Sequence, residues 1–444
     1  MNYVAHRSHF LKQQARKIFL FILQSLLIIF AWLPVIVISQ RFILTLSSAD
    51  HLAAQLKRNI GYFVDFSRLY ACAQVAKTAP DKIWDHGYEV KALENSLHIS
   101  ATDHSLANQI QCPAIYTPQC LALIMPLTIL PLNQAIILFE LTALLVSIIP
   151  ITLLLKKYQH FSRSQIVVWW LIVLAMPSLL QNLCLGQFEV ILAGLSAIFL
   201  LTWENTNSLI APLMLALTIA IKPHCSLIML IMVLATRRYR ILCLTLLFSI
   251  LILAYSTLII GSDAVFKYPS VLFTVQKGFV EGSLAYSLAN AINLSGVISI
   301  FTNRHFGYVC GLFSTVIFIL ATTYIWRIAV RSNRDSYPFA YTVSLLLNLI
   351  LGPYENFYAL FLLTVAWAMT IPAVGIGYYT KMQTPSLHLW FLAFLLFPII
   401  SWQIVFHTRS FLGLLHLFIL LLLLILALYN FWIKTRFDEL NTIK

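Results

Sequence analysis

The sequence is short of charge. Of 444 residues only 10% are Asp, Glu, Lys or Arg, while 60% are hydrophobic. A soluble domain carries about 25% charged residues, so this chain cannot cover a water-facing surface. Soluble enzymes, DNA-binding modules and disordered scaffolds are excluded. It also lacks G-x-x-x-x-G-K-[ST], G-x-G-x-x-G and H-E-x-x-H, which removes the usual support for ATP-driven pumping, dinucleotide chemistry and zinc hydrolysis. The seven cysteines form no C-x-x-C pair or His/Cys cluster, so neither a metal nor a cofactor is expected. A Cys72–Cys112 disulfide stays open as an option in an oxidising compartment.

Long apolar runs are what the chain has in quantity. At about 20 residues per crossing, their spacing predicts an all-α polytopic membrane protein. Twelve spans are expected, over 18–38, 135–155, 165–183, 188–203, 208–221, 225–236, 240–260, 308–329, 338–351, 357–374, 387–406 and 410–433. The 208–221 and 225–236 pieces are short for ~30 Å of hydrocarbon, so they read as one dipping hairpin or as two tilted helices. Residues 1–17 form a cytoplasmic N-terminus and 18–260 a membrane core whose first outer loop covers 40–117. A second outer loop follows at 261–306, then C-terminal helices over 307–433 and a cytoplasmic tail at 434–444. The segment from Tyr116 to Pro131, interrupted by Pro118 and Pro126, reads as a bent interfacial stretch.

The net charge of +13 is topogenic in this layout. The cytoplasmic side holds 17 of the 29 Lys and Arg and 4 acids, against 12 and 11 outside, the asymmetry that sets orientation. No clustered basic face remains for nucleic acid. Both termini are expected inside. Trp203, Trp326, Trp402 and Trp432, near span ends, read as interface anchors. The Asn293-Leu294-Ser295 sequon matters only in a glycosylating pathway.

Polar groups held against the membrane's preference are functional candidates. Four such places fall on the outer side: Asp65-Phe66-Ser67-Arg68-Leu69-Tyr70, Gly186-Gln187-Phe188-Glu189, Lys222-Pro223-His224 and Gly352-Pro353-Tyr354-Glu355-Asn356. Their carboxylates could take a proton from an alcohol and their cations could steady a leaving phosphate. Each has a bland counterpart. Asp65 could cap a helix over Phe66 to Val75, Gly-Gln and Gly-Pro are ordinary turn chemistry, and Lys222 could snorkel. Glu140, within a span, reads as bonded to a neighbouring helix.

The order of these pieces resembles glycosyltransferase family 87, membrane enzymes of GT-C architecture. The resemblance rests on Asp65-Phe66, Tyr70 and Trp84-Asp85, then Tyr116-Thr117-Pro118 with Pro126-Leu127, Pro131 and Ala135. Gly186-Gln187, Lys222-Pro223 before the basic stop Arg237-Arg238-Tyr239-Arg240, and Pro353-Tyr354 complete it. It covers roughly residues 60–240, with a weaker return at 350–360. Thr117 replaces a family proline, and Glu189 stands where the family often has Asn.

The resemblance implies inverting transfer of a sugar, commonly mannose, from a polyprenyl-phosphate carrier to an extracytoplasmic glycan or lipid acceptor. It implies Asp65 as catalytic base. Lys222, Arg68 and His224 would hold the donor phosphate, and Tyr70, Gln187, Glu189, Tyr354 and Glu355 would line the sugar or acceptor pocket. Donor, acceptor and membrane lipids are the expected partners, with no metal. The setting is a bacterial inner membrane with the site on its periplasmic face. A polytopic transporter or lipid flippase shares the span count, but such carriers often repeat their halves and no second half repeats the seventy-residue first loop. A non-catalytic scaffold is the third reading.

Overall fold

The computed structural model describes residues 64–97, 116–281, 293–332, 334–352, 357–371 and 409–442, with scattered positions from 29 to 52 and from 393 to 397. Every regular element among them is helical. In chain order these are α1 (Val64–Thr78), α2 (His86–Ser96), α3 (Pro118–Ile124), α4 (Leu132–Gln159), α5 (Arg163–Leu174), α6 (Pro177–Leu185), α7 (Glu189–Thr202) and α8 (Ile210–Ile221). Then come α9 (Leu227–Ala235), α10 (Tyr239–Ile260), α11 (Ser262–Glu281), α12 (Leu294–Phe301), α13 (Arg304–Ser332), α14 (Tyr337–Leu351), α15 (Leu363–Thr370) and α16 (Arg409–Thr442). Short 3-10 turns at Met125–Ile129, Pro223–Ser226 and Phe357–Leu362 join some of them.

Three described helices, α4, α10 and α13, are long and apolar enough to cross a membrane. At 1.5 Å per residue, the 28 residues of α4 reach about 42 Å, beyond the ~30 Å hydrocarbon core. A fourth crossing exists if α5 and α6, bent by 62° at their junction, count as one. Most of the other expected spans appear as shorter apolar helices. α7, with 14 residues, covers only about 21 Å. The breaks have local causes. Pro177 opens α6 and Pro223 opens the turn after α8, because proline lacks the N–H that would continue a helix. The first expected span, 18–38, and that at 387–406 fall almost wholly outside the described residues.

The α4–α7 crossing organises the core. Pro150 lies inside α4, so the carbonyl of Val146, four residues earlier, lacks its helical donor. Gly194 of α7 packs on that carbonyl so closely that an added Cβ would stand 2.2 Å from the Val146 oxygen.

The two stretches expected as outer loops touch each other. Trp84 Nε1 donates to the Ala264 carbonyl at 2.9 Å, and the Trp84 and Tyr268 rings lie 5.4 Å apart. Much of 261–306, expected as a loop, is helix among the described residues: α11 packs beside the first stretch, and α12 packs on α13, α14 and α16. Asn293 is fully buried. It caps α12 through the Gly296 N–H and donates to the Gly352 carbonyl at 2.8 Å, so its sequon cannot meet a glycosylating enzyme in the folded protein.

Two tryptophans correct their expected role. Trp203 and Trp326 are at most 1% exposed, with ring centroids 6.4 Å apart and Tyr337 against both. The Arg238 guanidinium sits 4.3 Å over the Trp203 ring. They join helix ends inside the bundle, whereas Trp432 is half exposed and Trp402 lies outside the described residues.

Candidate active site

Asp65 lies in the first turn of α1. A carboxylate there is favoured by the unsatisfied N–H groups and the positive end of the helix dipole. Its partner is remote in sequence: the Gln187 amide donates to Asp65 Oδ2. The helix therefore starts one residue before Asp65, and the carboxylate reaches across to a second element.

Gly186 makes that reach possible. It ends α6 in the left-handed region at φ +71°, the conformation glycine adopts most readily. A Cβ there would lie 2.4 Å from Phe66 Cβ. The turn consequently presses its backbone onto α1 beside Asp65 and delivers Gln187 to it.

Two residues further on, Glu189 opens α7 and is fully buried. It forms an ion pair with Lys222 through Oε1. Lys222 sits in extended backbone between α8 and the Pro223–Ser226 turn. Its side chain is 22% exposed against 1% for Glu189, so the carboxylate holds the ammonium from beneath. Glu189 Oε2 is buried with no hydrogen-bond partner among the described residues. Asp65–Gln187 and Glu189–Lys222 are thus two contacting pairs, linked through the backbone at Phe188 and drawn from three elements.

Arg68, one helical turn after Asp65, donates through Nε to Glu89 of α2 at 2.7 Å. That carboxylate is fully buried. Sequence reasoning missed this partner, which fastens α2 to α1. Removing one member of such a pair costs about 3–5 kcal/mol.

Burial pushes the Asp65 carboxyl above its ordinary range although one side keeps solvent access. The Arg68 charge, the Gln187 hydrogen bond and the Lys222 charge oppose that push, and the Glu189 charge adds to it. These influences place both cations within electrostatic reach of Asp65.

A second missed residue is Thr117. Its hydroxyl accepts from the Cys120 N–H at 3.1 Å, capping α3, and donates to the Ala220 carbonyl. Thr117 therefore ties the α3 start to the end of α8, two residues before Lys222. Beneath the polar groups run four rings: Phe66 to Phe139 at 4.6 Å, Phe139 to Phe188 at 5.1 Å, and Phe188 to Tyr116 at 6.0 Å. Phe66, Phe188 and Tyr116 are sequence neighbours of Asp65, of Gln187 and Glu189, and of Thr117, so this ring packing constrains how far apart those polar residues sit.

Tyr70 turns its hydroxyl to another segment. It is 2% exposed and its hydroxyl donates to the Leu130 carbonyl at 2.7 Å, fastening α1 to the Pro-interrupted segment. His224 follows Lys222 in the 3-10 turn, where burial and then the Lys222 charge push its imidazole pKa down to about 3, so the ring is neutral. Tyr354 and Glu355 lie outside the described residues. The Phe357–Leu362 turn that follows them packs on α6 and α7, the elements flanking Gly186-Gln187. Cys72 is buried in α1, and Cys112 is outside the described residues.

The model of glycosyltransferase family 87 matches residues 114–353, more than half of the chain. The chain belongs to glycosyltransferase family 87. It is therefore a glycosyltransferase. The match contains Thr117, Gln187, Glu189, Lys222 and His224, while Asp65, Arg68 and Tyr70 precede it. It also extends through 241–349, where no family feature stood out in the sequence. No curated protein matches the chain.

Proposed function

We propose that this family 87 member moves a sugar, mannose by the family resemblance, from a polyprenyl-phosphate carrier to a lipid or glycan acceptor outside the cytoplasm. One observation carries the reading. Within a glycosyltransferase, a desolvated aspartate and an anchored lysine are brought together by Gln187 and Glu189 on one side of the molecule.

In this reaction Asp65 takes the proton of the acceptor hydroxyl as its oxygen attacks the sugar's anomeric carbon. The bond from that carbon to the phosphate oxygen breaks on the opposite face, which inverts the configuration. The departing polyprenyl phosphate gains one negative charge, met by the Lys222 ammonium, with the neutral His224 ring as a hydrogen-bond donor beside it. Glu189 positions Lys222, and Arg68, anchored by Glu89, keeps its charge beside Asp65. Gln187 orients the base, and Tyr354 and Glu355 belong to the sugar or acceptor side.

A cleft of about 320 Å³ adjoins Pro223 and is lined also by Pro118, Ala220, Ile252, Leu253 and Tyr268. Its apolar walls suit the first isoprene units of the carrier, with the phosphate toward Lys222. Twelve spans in a GT-C arrangement, both termini cytoplasmic and the site on the periplasmic face of a bacterial inner membrane, complete the proposal. A lipid-linked donor fits that orientation because nucleotide sugars are made inside and do not cross.

The test is purified protein with radiolabelled polyprenyl-phosphate mannose and a panel of lipid and glycan acceptors. Label transfer is expected, falling about 10²–10⁴-fold in Asp65→Asn with an unchanged unfolding profile. Near-normal transfer by that variant would remove Asp65 from the chemistry. No transfer to any acceptor, with rapid passage of the intact donor across proteoliposomes, would replace the enzyme by a carrier.

A further inference from the structure

The end of α4 away from Asp65 carries a groove that the glycosyl chemistry does not use. On the Lys156 side of the Val146–Gly194 crossing, α4 and α7 leave a concave space of about 810 Å³ between them and the start of α8. This is within the size range of ligand sites, roughly 300–1,000 Å³. Its wall is apolar: Leu145, Ile149 and Leu153 of α4, Ile198 of α7 and Ile210 of α8. The first three are 46–60% exposed, and no other side chain among the described residues lines the space beyond those of α4, α7 and the start of α8.

Lys156 and Lys157 close one end of the groove. Lys157 lies 3.6 Å from Glu204 and 5.1 Å from the centroid of the Tyr158 ring. Lys156 is exposed and has no ion pair among the described residues. Further cations adjoin. Arg238 donates to the carbonyls of Trp203 and Glu204 at 2.6 and 2.8 Å, and Arg240 donates to Asn207 at 2.6 Å. A wall of aliphatic side chains ending in a cluster with more cations than acids is complementary to an amphiphile with acyl chains and an anionic head.

We propose that this groove binds an anionic phospholipid, acyl chains against α4 and α7 and phosphate at Lys156 and Lys157. Basic pockets between membrane helices take acidic headgroups in this way, and each lysine near the surface contributes on the order of fivefold in affinity. The share of Lys156 exceeds that of Lys157, whose charge Glu204 partly offsets. The site lies at the opposite end of α4 from Phe139, which touches the ring under Asp65, so it is separate from the transfer centre.

The full chain in detergent, examined by native mass spectrometry with dioleoyl phosphatidylglycerol or dioleoyl phosphatidylcholine, tests this. Phosphatidylglycerol adducts are expected to outlast phosphatidylcholine adducts by tenfold or more. Lys156→Gln with Lys157→Gln should erase the preference. Ile149→Trp, which fills the groove and leaves both lysines, should remove the adduct itself. Equal retention of the two lipids would overturn the proposal, as would wild-type retention in Ile149→Trp. A dimer that Ile149→Trp dissociates would assign the groove to a second copy and overturn it equally.

Discussion

Asp65 owes its character to burial and to four neighbours, Arg68, Gln187, Lys222 and Glu189, that lie on other turns or other elements. Desolvation raises its carboxyl, and the Gln187 amide, which bonds the ionised form, holds it down. A general base works only when deprotonated. The acid limb of the kcat/KM profile should therefore lie above the ordinary aspartate value of about 3.9. In Gln187→Leu the ionised form loses its amide donor, and the limb should move to higher pH. A limb that stays in place in that variant would separate Asp65 from the titrating group. At this scale the sequence was informative about which residues carry chemistry, because Asp65, Gln187, Glu189 and Lys222 stood out as polar groups held among apolar ones. It was silent on pairing. Nothing in the order of residues states that Glu189 faces Lys222, or that Arg68 is engaged by Glu89 twenty-one positions on.

At the scale of elements, the site is made by breaks in helices. The α6 end at Gly186 delivers Gln187, and the interruption after α8 presents Lys222. Gly186→Ala tests the first. The added methyl would meet Phe66 Cβ at 2.4 Å, and the left-handed backbone alone costs a non-glycine residue about 1–2 kcal/mol. The variant should unfold at a lower temperature than wild type. Its transfer rate should fall further than that of an equally destabilised variant remote from the site, because the loop must lift off α1. Equal losses in the two would make Gly186 a matter of stability only. These breaks were partly legible, since Pro177, Gly186 and Pro223 are the usual punctuation. Their consequence for span length was not. An apolar run such as 188–203 carries the composition of a crossing, yet α7 ends after 14 residues, where Trp203 turns inward onto Trp326 and Arg238.

Across the whole molecule, the two segments expected outside meet through Trp84, Ala264 and Tyr268, and α4 runs from that layer to the basic end at Lys156. In sealed, oriented vesicles, Lys91→Cys and Lys156→Cys should react with a membrane-impermeant maleimide from opposite sides. Reaction of both from the same side would break the proposed orientation. The helical, membrane-embedded character was readable from composition alone. The packing of α11 on the first segment was not, because it depends on a contact between residues 180 positions apart.

Among the described residues, the pairing of Lys222 with Glu189 and of Arg68 with Glu89 leaves the cluster around Asp65 with no surplus of positive charge. Such a centre exerts little long-range pull on a phosphate dissolved in water. A carrier that arrives by lateral diffusion in the bilayer needs none, since its hydrocarbon tail already confines the search to two dimensions. Ionic strength, which slows charge-steered encounters, then has little to act upon, and stray inorganic phosphate gains no advantage at the entrance.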